Sequence, residues 1–222
     1  MISHDLTSHP EINRLISRQR NLSPINRETN QSSSLVLASQ SRSRSQILRR
    51  IGLRFTIDPS GIEEIGEKDK EPDSIAAELA ASKAKRVSQR HPHSIIIGAD
   101  TVIVDEKGLI GKPNDERQAK QMLHRLSGKP HIVLTGLAVI DSRTNMIIES
   151  VASTIVVFRK LTPSSIERYV QTGEPIGKAG GYALQGIGAL LVERTEGDYT
   201  TVLGLPVSAL VDALKQLGYE IL

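Results

Sequence analysis

The sequence contains no cysteine and no tryptophan, and only 3% of its 222 residues are aromatic. Without cysteine the chain forms no disulfide, thiolate metal site or cysteine nucleophile, which fits the reducing cytoplasm as its compartment. A surface for single-stranded nucleic acid is not expected, because such surfaces need aromatic side chains among the basic ones. The core must instead be built from Ile, Leu, Val and Ala, within an apolar fraction of 38%.

Long hydrophobic runs are also missing. No apolar run approaches the roughly 18 residues that suggest a membrane span, and residues 1–10 lack the apolar segment of a secretory signal. The net charge of +3 and the pI of about 9.2 are mildly basic, which is compatible with a polyanionic ligand. Because the basic residues are spread along the chain, neither a membrane nor a nucleic acid is predicted as a partner.

The chain divides into a polar extension and one folded domain. Residues 1–33 are rich in Ser, Asn, Gln and Arg with little apolar periodicity, which predicts a disordered extension. Over residues 34–222, strand and helix patterns alternate without an internal repeat or linker, and residues 189–193 and 199–203 are predicted as the last strands. The alternation predicts an α/β fold with a mixed central sheet and flanking helices.

The stretch Ser94–Thr101 is the centre of the predicted sheet. Its three consecutive isoleucines predict a strand buried on both faces, and Gly98 lets a ligand or another backbone approach closely. Asp100 follows at the predicted end of this strand, where ligands bind in open α/β sheets. Asp100 is therefore the first candidate site residue, and a surface Asp that begins a turn is the simpler alternative.

A second junction follows the strand predicted over residues 35–38. The segment Ser39–Arg44 reads SQSRSR and leads into a helix predicted over residues 45–51. Hydroxyl groups, backbone N–H groups at a helix start and nearby guanidinium groups suit a bound phosphate. An ordinary serine cap with solvated arginines is the alternative that the local sequence leaves open.

Other loops and one helix contribute further polar candidates. Glu64 belongs to a pair of loop glutamates, and carboxylates are ligands that Mg²⁺ selects, although loop glutamates are usually solvated. Lys83 lies in the second half of a predicted helix, where it matters only if it faces a cleft. Lys112 stands between a glycine and a proline, and Gln185 lies in the glycine-dense segment 177–188, which lacks the G-x-G-x-x-G pattern.

Taken in order, these segments resemble the Maf family of nucleoside triphosphate pyrophosphatases. The resemblance runs from Leu35 to the C-terminus, and each of its motifs is short. Their fixed order carries the resemblance, through Leu-Ala-Ser39-x-Ser41 with Arg44, Gly-Ile-Glu-Glu64, Lys83-Ala84, Gly98-Ala-Asp-Thr101, Gly-Lys112-Pro, Lys178-Ala-Gly, Leu-Gln185-Gly and Gly204-Leu-Pro206.

The resemblance implies a two-lobed α/β fold, related to inosine triphosphate pyrophosphatases, with a nucleotide in a central cleft. It implies hydrolysis between the α- and β-phosphates, giving a nucleoside monophosphate and pyrophosphate with a divalent metal cation, Mg²⁺ or Mn²⁺. By position, Asp100 is implied as the general base or metal-linked acid and Glu64 as a metal ligand. The residues implied to hold the triphosphate are Ser39, Arg44, Lys83 and Lys112.

Two residues point to a subtype within the family. Thr101 and Gln185 resemble the subtype that acts on dTTP and UTP, so they are the candidates for base specificity. The 7-methyl-GTP subtype and a non-catalytic nucleotide-binding regulator of cell division are the alternatives, and a homodimer is left open.

The chain also departs from the family pattern at one turn. It reads Ser41-Arg-Ser-Arg-Ser45 where the family usually reads Ser-Pro-x-Arg-Arg. The proline is missing, and Arg44 is the one arginine of the pair that is in place. Ser43 stands where family members vary with substrate, so it is a further substrate-binding candidate.

Overall fold

A computed structural model describes residues 34–62 and 70–221. Seven strands form one mixed sheet: β1 (Ser34–Leu37), β2 (Phe55–Ile57), β3 (Ser94–Asp105), β4 (Gly108–Ile110), β5 (Pro130–Asp141), β6 (Met146–Phe158) and β7 (Val192–Gly197). Their order is β2-β1-β3-β5-β6-β7, with β4 paired to β3. β1 is parallel to β2 and β3, and the other pairs are antiparallel, so the predicted mixed sheet is confirmed.

Among the described residues, six α-helices flank the sheet: α1 (Arg42–Arg50), α2 (Pro72–Ser88), α3 (Glu116–Leu126), α4 (Pro163–Val170), α5 (Tyr199–Val202) and α6 (Val207–Gln216). Two short 3₁₀ helices, Ala179–Gly181 and Ile187–Leu191, lie in the glycine-dense segment. Hydroxyl or carboxylate side chains cap α1, α3 and α4 at Ser41, Asp115 and Thr162. Within the described ranges no helix combines the length and apolarity that crossing a membrane requires.

The apolar core divides into clusters along the long strands. One cluster surrounds the first half of β3 and includes Leu37, Ile97 and Leu210 from β1, β3 and α6. A second surrounds the other half of β3 and includes Leu123 of α3 and Phe158 of β6. Because β3, β5 and β6 are 12 or 13 residues long, they extend through both clusters and join the two lobes of the α/β fold.

Asp100 does not lie at the end of its strand, so that part of the prediction is wrong. β3 continues to Asp105, and Asp100 pairs with Gly136 of β5. On the other edge, β1 pairs with β3 only as far as Ile97, and β4 pairs with it from Ile103. Among the described strands none covers the edge of β3 between these two pairings. Asp100 therefore lies beside the end of β1, where the sheet opens.

The last predicted strands are also placed differently. Residues 189–191 belong to a 3₁₀ helix, and the strand here is β7. Residues 199–202 form α5, whose N-cap Asp198 accepts a hydrogen bond from the backbone N–H of Thr200 at 2.8 Å. The β-branched residues of this segment favour a strand, but the cap and the tertiary packing select one helical turn.

Helix α2 packs unusually close to the sheet because glycines face it. A Cβ atom on Gly98 would lie 2.5 Å from the carbonyl oxygen of Ala80, and one on Gly136 would lie 2.1 Å from that of Ala76. The sequence predicted that either a ligand or another backbone approaches Gly98 closely, and in the structure it is the backbone of α2. It brings the side chains of α2 directly onto β3 and β5.

We expect Gly136→Ala to destabilise the fold, because the added methyl group meets backbone atoms that cannot rotate away. Overpacking of this kind costs about 3 kcal/mol or more, equivalent to a melting temperature roughly 6–12 °C lower for a domain of this size. Thermal unfolding followed by circular dichroism measures the change. Gly111→Ala is the control, since its Cβ atom would meet nothing within 4 Å; equal melting temperatures for the two variants would contradict the prediction.

Candidate active site

A cleft of about 590 Å³ lies at the uncovered edge of β3. Its walls come from the β1–α1 turn, the loop after β2, helix α2, strand β3 and the glycine-dense segment. Eight of the nine predicted site residues line it: Ser39, Ser43, Arg44, Lys83, Asp100, Thr101, Lys112 and Gln185. The ninth, Glu64, lies outside the described residues.

A buried ion pair between Lys83 and Asp100 forms the floor of this cleft. Lys83 Nζ of α2 lies 2.5 Å from Asp100 Oδ1 of β3, and the two side chains are 7% and 5% exposed. Lys83 therefore faces the cleft rather than the solvent. Desolvation of two charges offsets much of their attraction, so a pair like this is weak evidence for stability. Buried charges in a cleft are instead typical of a functional site.

Arg44 ties three segments of the wall together. Its guanidinium group donates to the Gly204 carbonyl oxygen at 2.7 Å, to Ser39 Oγ at 3.0 Å and to Thr101 Oγ1 at 3.3 Å. The side chain is buried, and its three bonds connect α1 to the end of β1, to β3 and to the turn before α6. Arg44 thus fixes the shape of the Ser-rich turn as well as lining the cleft.

The hydroxyl group of Thr101 is part of the same network. Thr135 Oγ1 donates to the carbonyl oxygen of Thr201 at 2.8 Å and lies 2.9 Å from Thr101 Oγ1. Since a hydroxyl group has one hydrogen, Thr101 donates to Thr135 and accepts from Arg44. Toward a ligand, Thr101 Oγ1 is therefore left only as an acceptor.

The Ser-rich turn presents donors to the cleft. Ser39 Oγ accepts from Arg44 Nη1 and from the backbone N–H of Ser41 at 3.2 Å, so its own O–H is left as a donor. Ser41 caps α1, which begins at Arg42 rather than at the predicted residue 45. Ser43 is half-buried in the first turn of this helix. The turn thus caps α1 and also presents a hydroxyl donor to the cleft, so the two alternatives given for it in the sequence are compatible.

Several cleft residues were not identified as site residues from the sequence. The exposed side chains of Arg42 and Lys178 add positive charge to the wall, beside the exposed Lys112. Tyr182 lines the cleft from the glycine-dense segment. The motif Lys178-Ala-Gly was the available signal for Lys178, whereas the placement of Tyr182 depends on contacts distant in sequence.

Tyr182 is held by a buried aromatic cluster. Its hydroxyl group lies 2.8 Å from His131 Nε2, and both rings pack edge-on against Phe158 with centroid distances of 4.9 and 5.1 Å. Burial lowers the pKa of His131 to about 4 and raises that of Tyr182, so both side chains are neutral at pH 7. The pair supports the wall of the cleft without adding charge.

The donor set suits a metal ion that is shared with a ligand. Residues 34–62 and 70–221 contain no group of three or more His, Cys, Asp or Glu side chains that could hold a metal. Asp100 supplies one carboxylate in the cleft. Mg²⁺ is commonly bound by one or two carboxylates together with substrate phosphates and water, so a single described carboxylate fits this mode and excludes a complete cage within the described part.

A cleft in an α/β sheet, with a buried carboxylate–lysine pair and several cations around it, has the charge and shape that suit a phosphate-bearing ligand. Residues 34–217 match the family described as Maf-like protein, and the chain belongs to this family. It is 42% identical to the dTTP/UTP pyrophosphatase of Syntrophotalea carbinolica, with 88% of this chain and 90% of that protein covered. It is 45% identical to the dTTP/UTP pyrophosphatase of Geobacillus sp., with 83% and 98% covered.

Replacing Lys83 with methionine tests the buried pair. We expect Lys83→Met to lower the free energy of unfolding by about 3–5 kcal/mol, since it removes the cation that pairs with a buried carboxylate. Chemical denaturation measures the difference. Lys85→Met makes the same change at an exposed position of α2 and should cost less than about 0.5 kcal/mol. A stable Lys83→Met protein would show that the pair is not needed to tolerate Asp100 in the core.

Burial of His131 predicts a pH-dependent stability. Between pH 4 and 6.5 the unfolded chain binds a proton at this residue and the folded protein does not, so stability rises with pH in this window. The contribution reaches about 1.4 kcal/mol per pH unit. The difference in unfolding free energy between wild type and His131→Asn should therefore vary across pH 4–6.5 and be constant above pH 7.

Proposed function

We propose that this chain hydrolyses dTTP and UTP to the nucleoside monophosphate and pyrophosphate. The names of the relatives support this activity, because the identity of 42–45% extends over more than four fifths of the chain. The observation that carries the proposal in the structure is the Lys83–Asp100 pair at the floor of a cleft lined with cations. We assign the activity to residues 34–222 and to the cytoplasm, and we include modified pyrimidine nucleotides among its substrates.

Asp100 acts as the general base in this proposal. Its carboxylate orients a water molecule, whose oxygen forms a bond to phosphorus while the anhydride bond between the α- and β-phosphates breaks. The proton of the water passes to Asp100 and then to solvent, and pyrophosphate leaves. Lys83 holds the carboxylate in place through the 2.5 Å contact and offsets negative charge at the reaction centre.

A triphosphate needs several cations, and the cleft wall offers them. Lys112, Lys178 and Arg42 line the cleft with exposed side chains. Ser39 donates its O–H to a phosphate oxygen. Arg44 uses three N–H groups within the protein, so we assign it the shaping of the phosphate-binding turn in addition to charge neutralisation.

Asp100 and Glu64 are the residues that we propose to hold a divalent cation, Mg²⁺ or Mn²⁺. When bound, such a cation offsets the charge of the phosphates and polarises a phosphoryl oxygen. The carboxylate of Asp100 would then serve the cation and the attacking water together.

Gln185 is the main candidate for reading the base. Its side chain is exposed at the cleft, and within residues 34–62 and 70–221 no group hydrogen-bonds to its amide. An amide has both a donor and an acceptor, which match the imide edge of thymine or uracil. Thr101 contributes an acceptor oxygen and otherwise acts through Arg44.

Asp100→Asn tests the proposed chemistry. We expect pyrophosphate release from dTTP and UTP to fall by roughly a hundredfold or more, because the amide cannot accept the proton. The assay compares dTTP, UTP, CTP, GTP and 7-methyl-GTP with Mg²⁺ or Mn²⁺. Asp212→Asn, at an exposed position of α6, is the control and should keep full activity.

Other results in this panel identify which part of the proposal is wrong. Preference of the wild type for 7-methyl-GTP would reject the assignment of Gln185 and Thr101 and keep the chemistry. Absence of turnover with tight nucleotide binding would favour the non-catalytic regulator.

A further inference from the structure

The Gln185 side chain is presented by a tight turn at the cleft. The turn spans Ala183 to Gly186, and the Gly186 N–H donates to the Ala183 carbonyl oxygen at 3.1 Å. The amide of Gln185 has no hydrogen-bond partner within the described ranges, so nothing in its own contacts fixes the turn. The geometry of this turn must be set by groups that hold its two ends.

Glu174 holds the C-terminal end of the turn. Its carboxylate accepts from the backbone N–H of Ile187 at 2.9 Å and of Gly188 at 2.8 Å. It also accepts from the hydroxyl group of Tyr169 at 2.9 Å. Burial raises the pKa of Glu174, but these three donors and Lys178 outweigh it, so the pKa lies below its usual value and the group is ionised at neutral pH.

Tyr169 holds the N-terminal end. Its hydroxyl oxygen accepts from the backbone N–H of Ala183 at 3.3 Å while its hydrogen is donated to Glu174. Tyr169 itself is buried in the last turn of α4. The phenol and the carboxylate therefore connect both ends of the turn to the body of the protein.

Two glycines of the segment leave the space that Glu174 and Tyr169 occupy. A Cβ atom on Gly186 would lie 2.1 Å from Glu174 Oε2, and one on Gly188 would lie 2.7 Å from the Tyr169 hydroxyl oxygen. Gly186 has a φ of −124°, which any residue adopts, so space and not backbone conformation requires the glycine. The segment is thus shaped around Glu174 and Tyr169.

We propose that Glu174 is a positioning residue for base selectivity, which acts by holding the Ala183–Gly186 turn so that the Gln185 amide meets the base of the nucleotide. This inference rests on the proposed function, and it adds a residue outside the reaction centre. Glu174 does not line the cleft, so it acts through Gln185 rather than by contact with substrate.

The test is Glu174→Gln, which preserves the size of the side chain and directs an NH₂ group at one of the donors. We expect kcat/KM for UTP relative to GTP to fall by about tenfold or more, since a small displacement of a recognition group is sufficient for such a loss. The KM for UTP should rise, and kcat should change by less than about threefold. Glu167→Gln, at a half-buried position of α4 where the carboxylate pairs with Lys120, is the matched control and should leave the ratio unchanged.

A double variant separates positioning from general structural damage. Gln185→Ala alone should lower the UTP/GTP ratio, and adding Glu174→Gln to it should change the ratio by less than about twofold. If the two substitutions lower the UTP/GTP ratio independently, so that their effects multiply in the double variant, the proposal is wrong. A loss of thermal stability and total activity in Glu174→Gln with an unchanged ratio would also overturn it.

Tyr169→Phe decides the question if Glu174→Gln does not fold. It removes the donor to Glu174 and the acceptor for Ala183, so the ratio should fall by about threefold or more; an unchanged ratio overturns the inference. A wild type without nucleotide turnover rejects the proposed function together with this inference. A selective wild type with an equally selective Glu174→Gln rejects this inference alone.

Discussion

The contact between Lys83 and Asp100 is the interaction on which the rest of the site depends, and it exists only because α2 lies so close to the sheet. The approach requires glycine at Gly98 and Gly136, whose Cβ atoms would otherwise overlap the helix backbone. It also requires alanines on the inner face of α2. A lysine from that helix can then reach a carboxylate in the middle of β3. The small residues between α2 and the sheet therefore allow the Lys83–Asp100 pair to form at the cleft.

A similar dependence explains how the β1–α1 turn tolerates its departure from the family pattern. A proline would restrict the backbone of this turn directly. Here Ser41 caps the helix, Ser39 accepts two hydrogen bonds, and Arg44 links the turn to three other points of the fold. These hydrogen bonds hold the turn without a proline ring, and Arg42 lines the cleft.

Local patterns were sufficient to predict the alternation of strands and helices and to point to Asp100 and the Ser-rich turn, since apolar periodicity and polar side chains after a buried strand are local signals. The choice of the other cleft residues as site residues rested on the resemblance to the family. Local patterns failed where contacts between distant parts of the chain determine the secondary structure. The length of β3 depends on β5, which pairs with it beyond Asp100. In α5, the N-cap and tertiary packing outweigh the preference of its β-branched residues for a strand. Glu174 and Tyr169 had no signal of their own, because their partners lie 5 to 14 residues away along the chain.

In the proposed function, chemistry and base recognition take place at different positions along the sheet. Asp100 and Lys83 are fixed by β3 and α2, whereas Gln185 is presented by a turn that α4 and Glu174 support. No hydrogen bond or ion pair among the described residues joins the two supports, so a change in one need not disturb the other. Under the proposed function, base preference can then vary through the glycine-dense segment without a change at Asp100 and Lys83, because selectivity is carried by a part of the wall that the reaction does not use.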